Sequence, residues 1–353
     1  MKHHVYVGTY MDAGGEGICL LELDTEAGTL IPLSSWPELS RDPSFLSVEG
    51  DFLYAVSEGM DHGTVTAFRR DRKTGYITYL NHRDTEGTAM CHLLRWKDKP
   101  ILSAANYGSG SLLTLRLSPD GSVGDIQDFL QHTGVGFDAA GRQEGPHVHS
   151  TGLTPDGTKL FAADLGLDRV VCYEVAEDGT LTPGPETAQI TVPGGEGPRH
   201  FVFSADGSFL YLATEMGSKV FVFSSRDGWT TYRFLQSLSA LPEDFTGESY
   251  GADIHLSPDG NFLYMSNRGK DCITAFRVTP AGTLETLGCY DCGGTFPRNF
   301  CITPEGDCLL IANQHSGTLA LCPRDPKTGT LAPPAVILPI PQAVFVTTVE
   351  VGN

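Results

Sequence analysis

Positive charge is scarce in this 353-residue chain: 24 Lys and Arg stand against 43 Asp and Glu, a formal net charge of −19. Neutralising a phosphate backbone needs a basic stripe, and none is present, so nucleic acid is excluded as a partner. The same acidity repels anions at long range, and an anionic ligand therefore needs a local arginine pocket. Apolar runs long enough to span a bilayer are missing, which excludes a membrane-spanning segment. Met1-Lys-His-His runs straight into the strand-like Val5-Tyr-Val-Gly8 without the long apolar core of a cleavable leader. The nine cysteines are scattered and odd in number. A chain of this length buries a core without disulfides, so free thiols and a cytoplasmic location are expected. Linkers, low-complexity tracts and amphipathic helical patterns are also absent, as are a nucleophile elbow, a Walker loop and a dinucleotide fingerprint in suitable context.

What remains is a succession of short strands separated by tight turns. The stretch Gly197-Pro-Arg-His-Phe-Val-Phe-Ser-Ala-Asp-Gly-Ser-Phe-Leu-Tyr-Leu-Ala-Thr-Glu215 reads as a hairpin around an Asp-Gly turn, with Arg199, His200 and Glu215 at its two ends. The layout recurs from Val148 to Asp164, Ala252 to Asn267 and Arg298 to Asn313. Four strands, A to D, make one unit. The B strands begin near Val5, Leu53, Ile101, Leu160, Leu210, Leu263 and Leu309, at spacings of 48, 48, 59, 50, 53 and 46 residues. Seven such units predict an all-β, seven-bladed β-propeller of four-stranded antiparallel blades, a single domain over residues 1–353. The first unit lacks an A strand, and Gln342-Ala-Val-Phe-Val-Thr-Thr-Val-Glu-Val351 is an A strand left over. Pairing it into the first blade closes the ring and covers two exposed edges. Two long connections interrupt the pattern: a Gly-rich polar insertion from Gln131 to Gly145 and the segment from Asp227 to Gly251.

Antiparallel order puts the A-to-B and C-to-D turns, such as Pro155-Asp-Gly157 and Pro258-Asp-Gly260, at one end. The starts of A and the ends of B lie at the other. That end collects Thr9, Tyr10, Glu58, His92, Asn106, Tyr107, His147, His149, Asp164, Arg199, His200, Glu215, Asp253, Asn267, Arg268, Arg298, Asn299, Asn313 and Gln314. In a propeller the A strands line the central channel, so these groups are expected to converge on one funnel. Arg199, Arg268 and Arg298 come from three blades and read either as an anion clamp or as salt bridges between blades. His147 and His149 are two apart on a strand and point the same way, as an acid/base group or an incomplete metal pair; no third ligand has metal spacing. His200 follows Arg199, so the two side chains are expected on opposite sides of the strand. His200 and His255 read as structural histidines with satisfied hydrogen bonds. Cys289-Tyr-Asp-Cys292 lies on a D strand rather than at a helix N-terminus, and reads as two ordinary cysteines.

Gly145-Pro-His-Val-His-Ser150 with Phe161-Ala-Ala-Asp-Leu-Gly166, Gly197-Pro-Arg-His200, Ala252-Asp-Ile-His255 with Ser266-Asn-Arg-Gly269, and Phe296-Pro-Arg-Asn299 resemble the propeller-type lactonase family. Its best-known members are the seven-bladed bacterial 6-phosphogluconolactonases, and fungal carboxy-cis,cis-muconate cyclases are similar. The resemblance covers the whole chain and is densest between Gly145 and Asn313. It implies that His149, Arg199, Glu215 and Arg268 are the working residues, with His147 as the competing imidazole. Asn106, His147, Asp164, His200, Asp253 and Arg298 are the candidate substrate contacts around them. The implied reaction is hydrolysis of 6-phospho-D-glucono-1,5-lactone to 6-phosphogluconate, in the pentose phosphate pathway. No metal or organic cofactor is needed, and a monomer or weak homodimer is expected. The rivals are a lactonase or cyclase for a carboxylated substrate such as a muconate, and a non-catalytic propeller that binds a small anion or a protein.

Overall fold

The computed structural model describes residues 1–11 and 14–352. The described residues form seven antiparallel sheets. Blade 1 runs Ala343–Glu350, Lys2–Thr9, Ile18–Asp24, Thr29–Trp36 from the inside out, and it is the blade that joins the two ends of the chain. The inner strands of blades 2 to 7 are Leu46–Glu49, Met90–Arg95, Val148–Leu153, Pro198–Phe203, Tyr250–Leu256 and Pro297–Ile302. The predicted ring and its closure are therefore both present. Closure is a continuous ladder, from His3 opposite Glu350 to Gly8 opposite Phe345.

Alternating apolar residues explain where the core sits. Each blade has two apolar faces, so burial has to come from its neighbours on both sides. The buried side chains accordingly divide into seven clusters, one at each interface between adjacent blades. Tyr6, Leu20, Leu53 and Phe68 fill the interface of blades 1 and 2. Val5, Leu21, Leu310 and Leu321 fill that of blades 7 and 1.

Tyrosines pin the bottom of these interfaces. Tyr6, Tyr54, Tyr211 and Tyr264 each sit on the B strand of one blade. Each donates its hydroxyl to a glycine carbonyl in the C-to-D turn of the next: Gly75 at 2.5 Å, Gly121 at 3.1 Å, Gly282 at 3.1 Å and Gly329 at 2.8 Å. All four glycines have φ between 75° and 90°, a conformation that side chains disfavour.

Two local features differ from expectation. The outer strand of blade 4 is split into Leu181–Pro183 and Ile190–Thr191 by a short 3-10 turn at Glu186–Ala188, where Pro183 and Pro185 interrupt the ladder. The expectation of free thiols throughout is also corrected, because Cys272 and Cys289 form a disulfide between strands C and D of blade 6. Thr274 pairs with Cys289 and Cys272 with Asp291, so the two cysteines are diagonal neighbours on one face. Cys292, the other member of the Cys-x-x-Cys, is a buried free thiol.

Removing residues 343–351 takes the inner strand from blade 1 and uncovers the blade 7 interface. The thermal midpoint is expected to fall by on the order of 10 °C or more. Scanning calorimetry of the truncated and full chains checks this, and equal midpoints would rule out closure as a stabilising element.

Candidate active site

The funnel is built by a repeated irregularity. Near the top of the inner strand the register slips by one residue, between Met90 and His92, Val148 and Ser150, Pro198 and His200, Gly251 and Ile254, and Pro297 and Asn299. In blade 1 the extra residue is Val344, between Ala343 and Phe345. Blade 2 slips in the same way, with Val56 N–H donating to Phe45 and Glu58 N–H to Asp42. A bulge inserts one residue that the partner strand does not match, and it re-aims side chains. The residues placed there include Cys91, His149, Arg199 and Arg298. The bulge also overturns the expected opposition of Arg199 and His200. Arg199 Nη1 lies 3.5 Å from His200 Nε2, so both side chains face the channel.

Glu215, at the end of the blade 5 hairpin, is the electrostatic centre. Its Oε2 pairs with Arg199 Nε at 2.9 Å and Arg268 Nη2 at 2.8 Å, and its Oε1 with Arg142 Nη2 at 2.8 Å. Burial pushes its carboxyl up, but Arg268, Arg199 and Arg142 outweigh burial and hold it well below the usual carboxylate range. Arg199 Nη1 also donates to the Ala252 carbonyl at 2.7 Å, and Arg268 Nη2 to that of Gly251 at 3.0 Å. Burial, with Arg199 and Arg298 nearby, lowers Arg268 to about 10 despite its pairing with Glu215. On the opposite wall Arg298 Nη2 is 3.6 Å from Glu58 Oε1 and packs over the Tyr10 ring, while Tyr10 donates to Glu58 at 2.7 Å. Four guanidiniums thus face two carboxylates, leaving an excess of positive charge inside an acidic protein.

His149 is enclosed by this cluster. Burial is the largest influence on it, followed by Arg199, His200, Arg298 and Arg268, and all of them push its pKa well below 6.5. The imidazole is therefore neutral at physiological pH. Its Nδ1 is buried without a partner, and Nε2 makes no hydrogen bond to the described residues. His147 is placed differently. It stacks on Tyr107 at 4.4 Å, its Nδ1 is 2.9 Å from the Tyr107 carbonyl, and its Nε2 is 3.3 Å from Glu144. These contacts engage both ring nitrogens outside the arginine cluster, so His147 belongs to the rim.

One layer below lies a cavity of about 200 Å³ lined by Phe45, His92, His200, Asp253, His255 and Asn299, among others. Asp253 binds His200 Nδ1 at 2.7 Å, His255 Nε2 at 2.8 Å and Asn299 Nδ2 at 2.5 Å. Burial and Arg199 lower His200 to about 4 against the pull of Asp253. Asn106 and Asp164, both expected among the substrate contacts, are fully buried and bond to groups outside the cluster around Glu215. Asp164 binds His132 Nδ1 at 2.6 Å, at the end of the preceding blade, and Asn106 donates to Ser111 at 3.0 Å. Asp164 belongs to a top-side counterpart of the tyrosine staples, with Asn267 reaching the Ala240 carbonyl and Asn313 that of Cys292.

The residue that the sequence reading missed is Arg142. It lies in the Gln131–Gly145 insertion, where it is the single Lys or Arg. Among the described residues no group of three or more His, Cys, Asp or Glu could hold a metal ion. A cleft of about 910 Å³ between blades 5 and 6 at the bottom is lined by Asp206, Arg226 and Arg233 but by no histidine, cysteine or glutamate, so it offers no comparable acid/base chemistry.

The model of the lactonase family with a seven-bladed β-propeller matches residues 4–348. The chain belongs to that family. This lactonase is 35% identical over 351 residues to the 6-phosphogluconolactonase of Bacillus subtilis (strain 168), covering 97% of the chain and 98% of the relative. It is 34% identical to the 6-phosphogluconolactonase of Formosa agariphila, covering 93% and 94%. The solved structure of the periplasmic gluconolactonase PpgL of Pseudomonas aeruginosa superposes with a TM-score of 0.93 at 31% identity, covering 100% of both chains. The reaction class of this lactonase is lactone hydrolysis.

Glu215→Gln leaves buried guanidiniums without their counter-charge and is expected to cost about 3–5 kcal/mol at neutral pH. Because the folded pKa is depressed, the stabilisation by Glu215 is complete above its ordinary value of 4.5, declines below it and is lost only as pH falls through the depressed folded value. Urea melts at pH 7 and pH 4 check this. The gap between parent and variant narrows at the lower pH.

Proposed function

We propose that this lactonase hydrolyses 6-phospho-D-glucono-1,5-lactone to 6-phosphogluconate, the ring-opening step of the pentose phosphate pathway. The observation that carries the reading is a neutral imidazole, His149, inside a cluster of guanidiniums in a chain of net charge −19. A neutral imidazole accepts a proton; the surrounding guanidiniums favour negative charge that develops beside it.

In this reading water adds to the lactone carbonyl carbon while His149 takes its proton. The carbonyl oxygen becomes an oxyanion facing Arg199 and Arg268. The intermediate then collapses, the bond from the carbonyl carbon to the ring oxygen breaks, and the imidazolium returns the proton to that oxygen. The products are a carboxyl group, which ionises, and a free hydroxyl. Glu215 orients the two arginines and keeps their mutual repulsion in check. A phosphorylated sugar substrate is confined by its charge within the cell, so the same reading places the protein in the cytoplasm. No step calls for a metal or an organic cofactor.

The test is a time course with freshly generated 6-phosphogluconolactone, corrected for spontaneous opening. Arg199→Lys and Arg268→Lys are expected to lose about 100-fold in turnover, because lysine keeps the charge without the planar fork. His149→Gln is expected to lose about 10²–10⁴-fold and His147→Gln far less. Since the base is active when deprotonated and its pKa is lowered, kcat/KM of the parent holds as pH falls through 6.5 and declines only well below it. Turnover of a muconate-type carboxylate without turnover of the phosphorylated lactone would refute the reading, as would lysine variants at the parental rate.

A further inference from the structure

We propose that Arg142 grips the phosphate of the substrate and so sets the preference for phosphorylated over unphosphorylated lactones. The inference rests on the substrate reading above and assigns a task within the same site.

Four guanidiniums face the funnel, and their exposure separates them. The side chain of Arg142 is 46% exposed, against 2% for Arg199, 6% for Arg268 and 17% for Arg298. Arg199 and Arg268 bind inward to Glu215 and to backbone carbonyls, beside His149 at the floor. Arg142 reaches the same carboxylate from the rim. Glu215 therefore acts as a spacer: Oε2 faces the floor and Oε1 faces Arg142. The substrate has the same polarity, with its carbonyl at one end of the sugar and its phosphate at the other. A carbonyl at His149 leaves the phosphate pointing toward the mouth.

The bonding of Arg142 leaves room for an anion. Only Nη2 is engaged, by Glu215 at 2.8 Å and by the Tyr107 hydroxyl at 3.0 Å. Among the described residues Nε and Nη1 have no partner, so two donor nitrogens are available to a phosphate without breaking either bond. Tyr107 connects this position to the base, since its ring meets His149 edge-on at 5.6 Å.

The insertion is built to hold Arg142 still. Next to it, Gln143 is fully buried. Gln143 Nε2 donates to the Leu165 carbonyl at 2.8 Å, and its Oε1 accepts from Asp138 N–H at 3.0 Å. Arg142 N–H donates to Asp138 Oδ2 at 3.0 Å, and Gly136 N–H to the Gln143 carbonyl at 2.9 Å. Gly136 is required, because a Cβ there would lie 2.0 Å from the Gly166 carbonyl oxygen. A preorganised guanidinium spends less ordering entropy on capturing a ligand.

The experiment compares kcat/KM for 6-phosphogluconolactone and for unphosphorylated glucono-1,5-lactone in the parent, Arg142→Gln and Arg142→Lys. The ratio of the two is expected to fall about 10- to 100-fold in Arg142→Gln, through KM for the phosphorylated lactone, and by less in Arg142→Lys. Inorganic phosphate is expected to inhibit the parent competitively, with its inhibition constant raised in Arg142→Gln. Equal losses on both lactones would overturn the proposal, since Arg142 would then act only through Glu215. An unchanged ratio would overturn it as well. A parent with no preference for the phosphorylated lactone would instead refute the substrate reading, which keeps the two failures apart.

Discussion

The ladder between Ala343–Glu350 and Lys2–Thr9 is the interaction on which the ring depends. The apolar side chains are shared out among seven interfaces, and no blade buries both its faces alone. An open ring would leave an interface without one of its walls, at a cost that grows with apolar area, roughly 25 cal/mol per Å². The charged centre relies on the same closure. Arg199 and Glu215 share blade 5, but Arg268, Arg298 and Glu58 come from three others, and the five meet at short range only because the ring fixes the inner strands around one axis.

The fold was legible because its signals are local. Period-two strands, Asp-Gly turns and near-regular spacing of the B strands lead directly to seven blades, and the unmatched strand at Ala343 identifies the closure. The disulfide was less legible. Cys272 and Cys289 are 17 residues apart, and only the register of strands C and D makes them neighbours.

Within the site, the hairpin from Arg199 to Glu215 was visible because both its ends fall in one continuous stretch. The ladder slip was not. Alternation assigns Arg199 and His200 to opposite faces, and one unpaired residue defeats that rule. Asn106 and Asp164 resemble funnel residues in sequence, being polar and at the ends of B strands. Asp164 is held by the neighbouring blade, where the exit of the preceding D strand supplies His132, and Asn106 is held by Ser111 on the next strand of its own blade. Arg142 lies 73 residues from Glu215, so the insertion was recognisable as a long loop but not as the carrier of a guanidinium for that carboxylate.

The bulges also separate the chemistry of this protein from its architecture. A side chain at an unpaired position owes nothing to the ladder and little to the apolar interfaces. The chain fills these positions with unlike residues: Cys91 in blade 3, His149 in blade 4, Arg199 in blade 5, Arg298 in blade 7 and Val344 in blade 1. The ring thus works as a rack of interchangeable sockets around one axis. An ancestor could exchange the contents of a socket, and with it the molecule received, while the blades that hold the rack together stayed as they were.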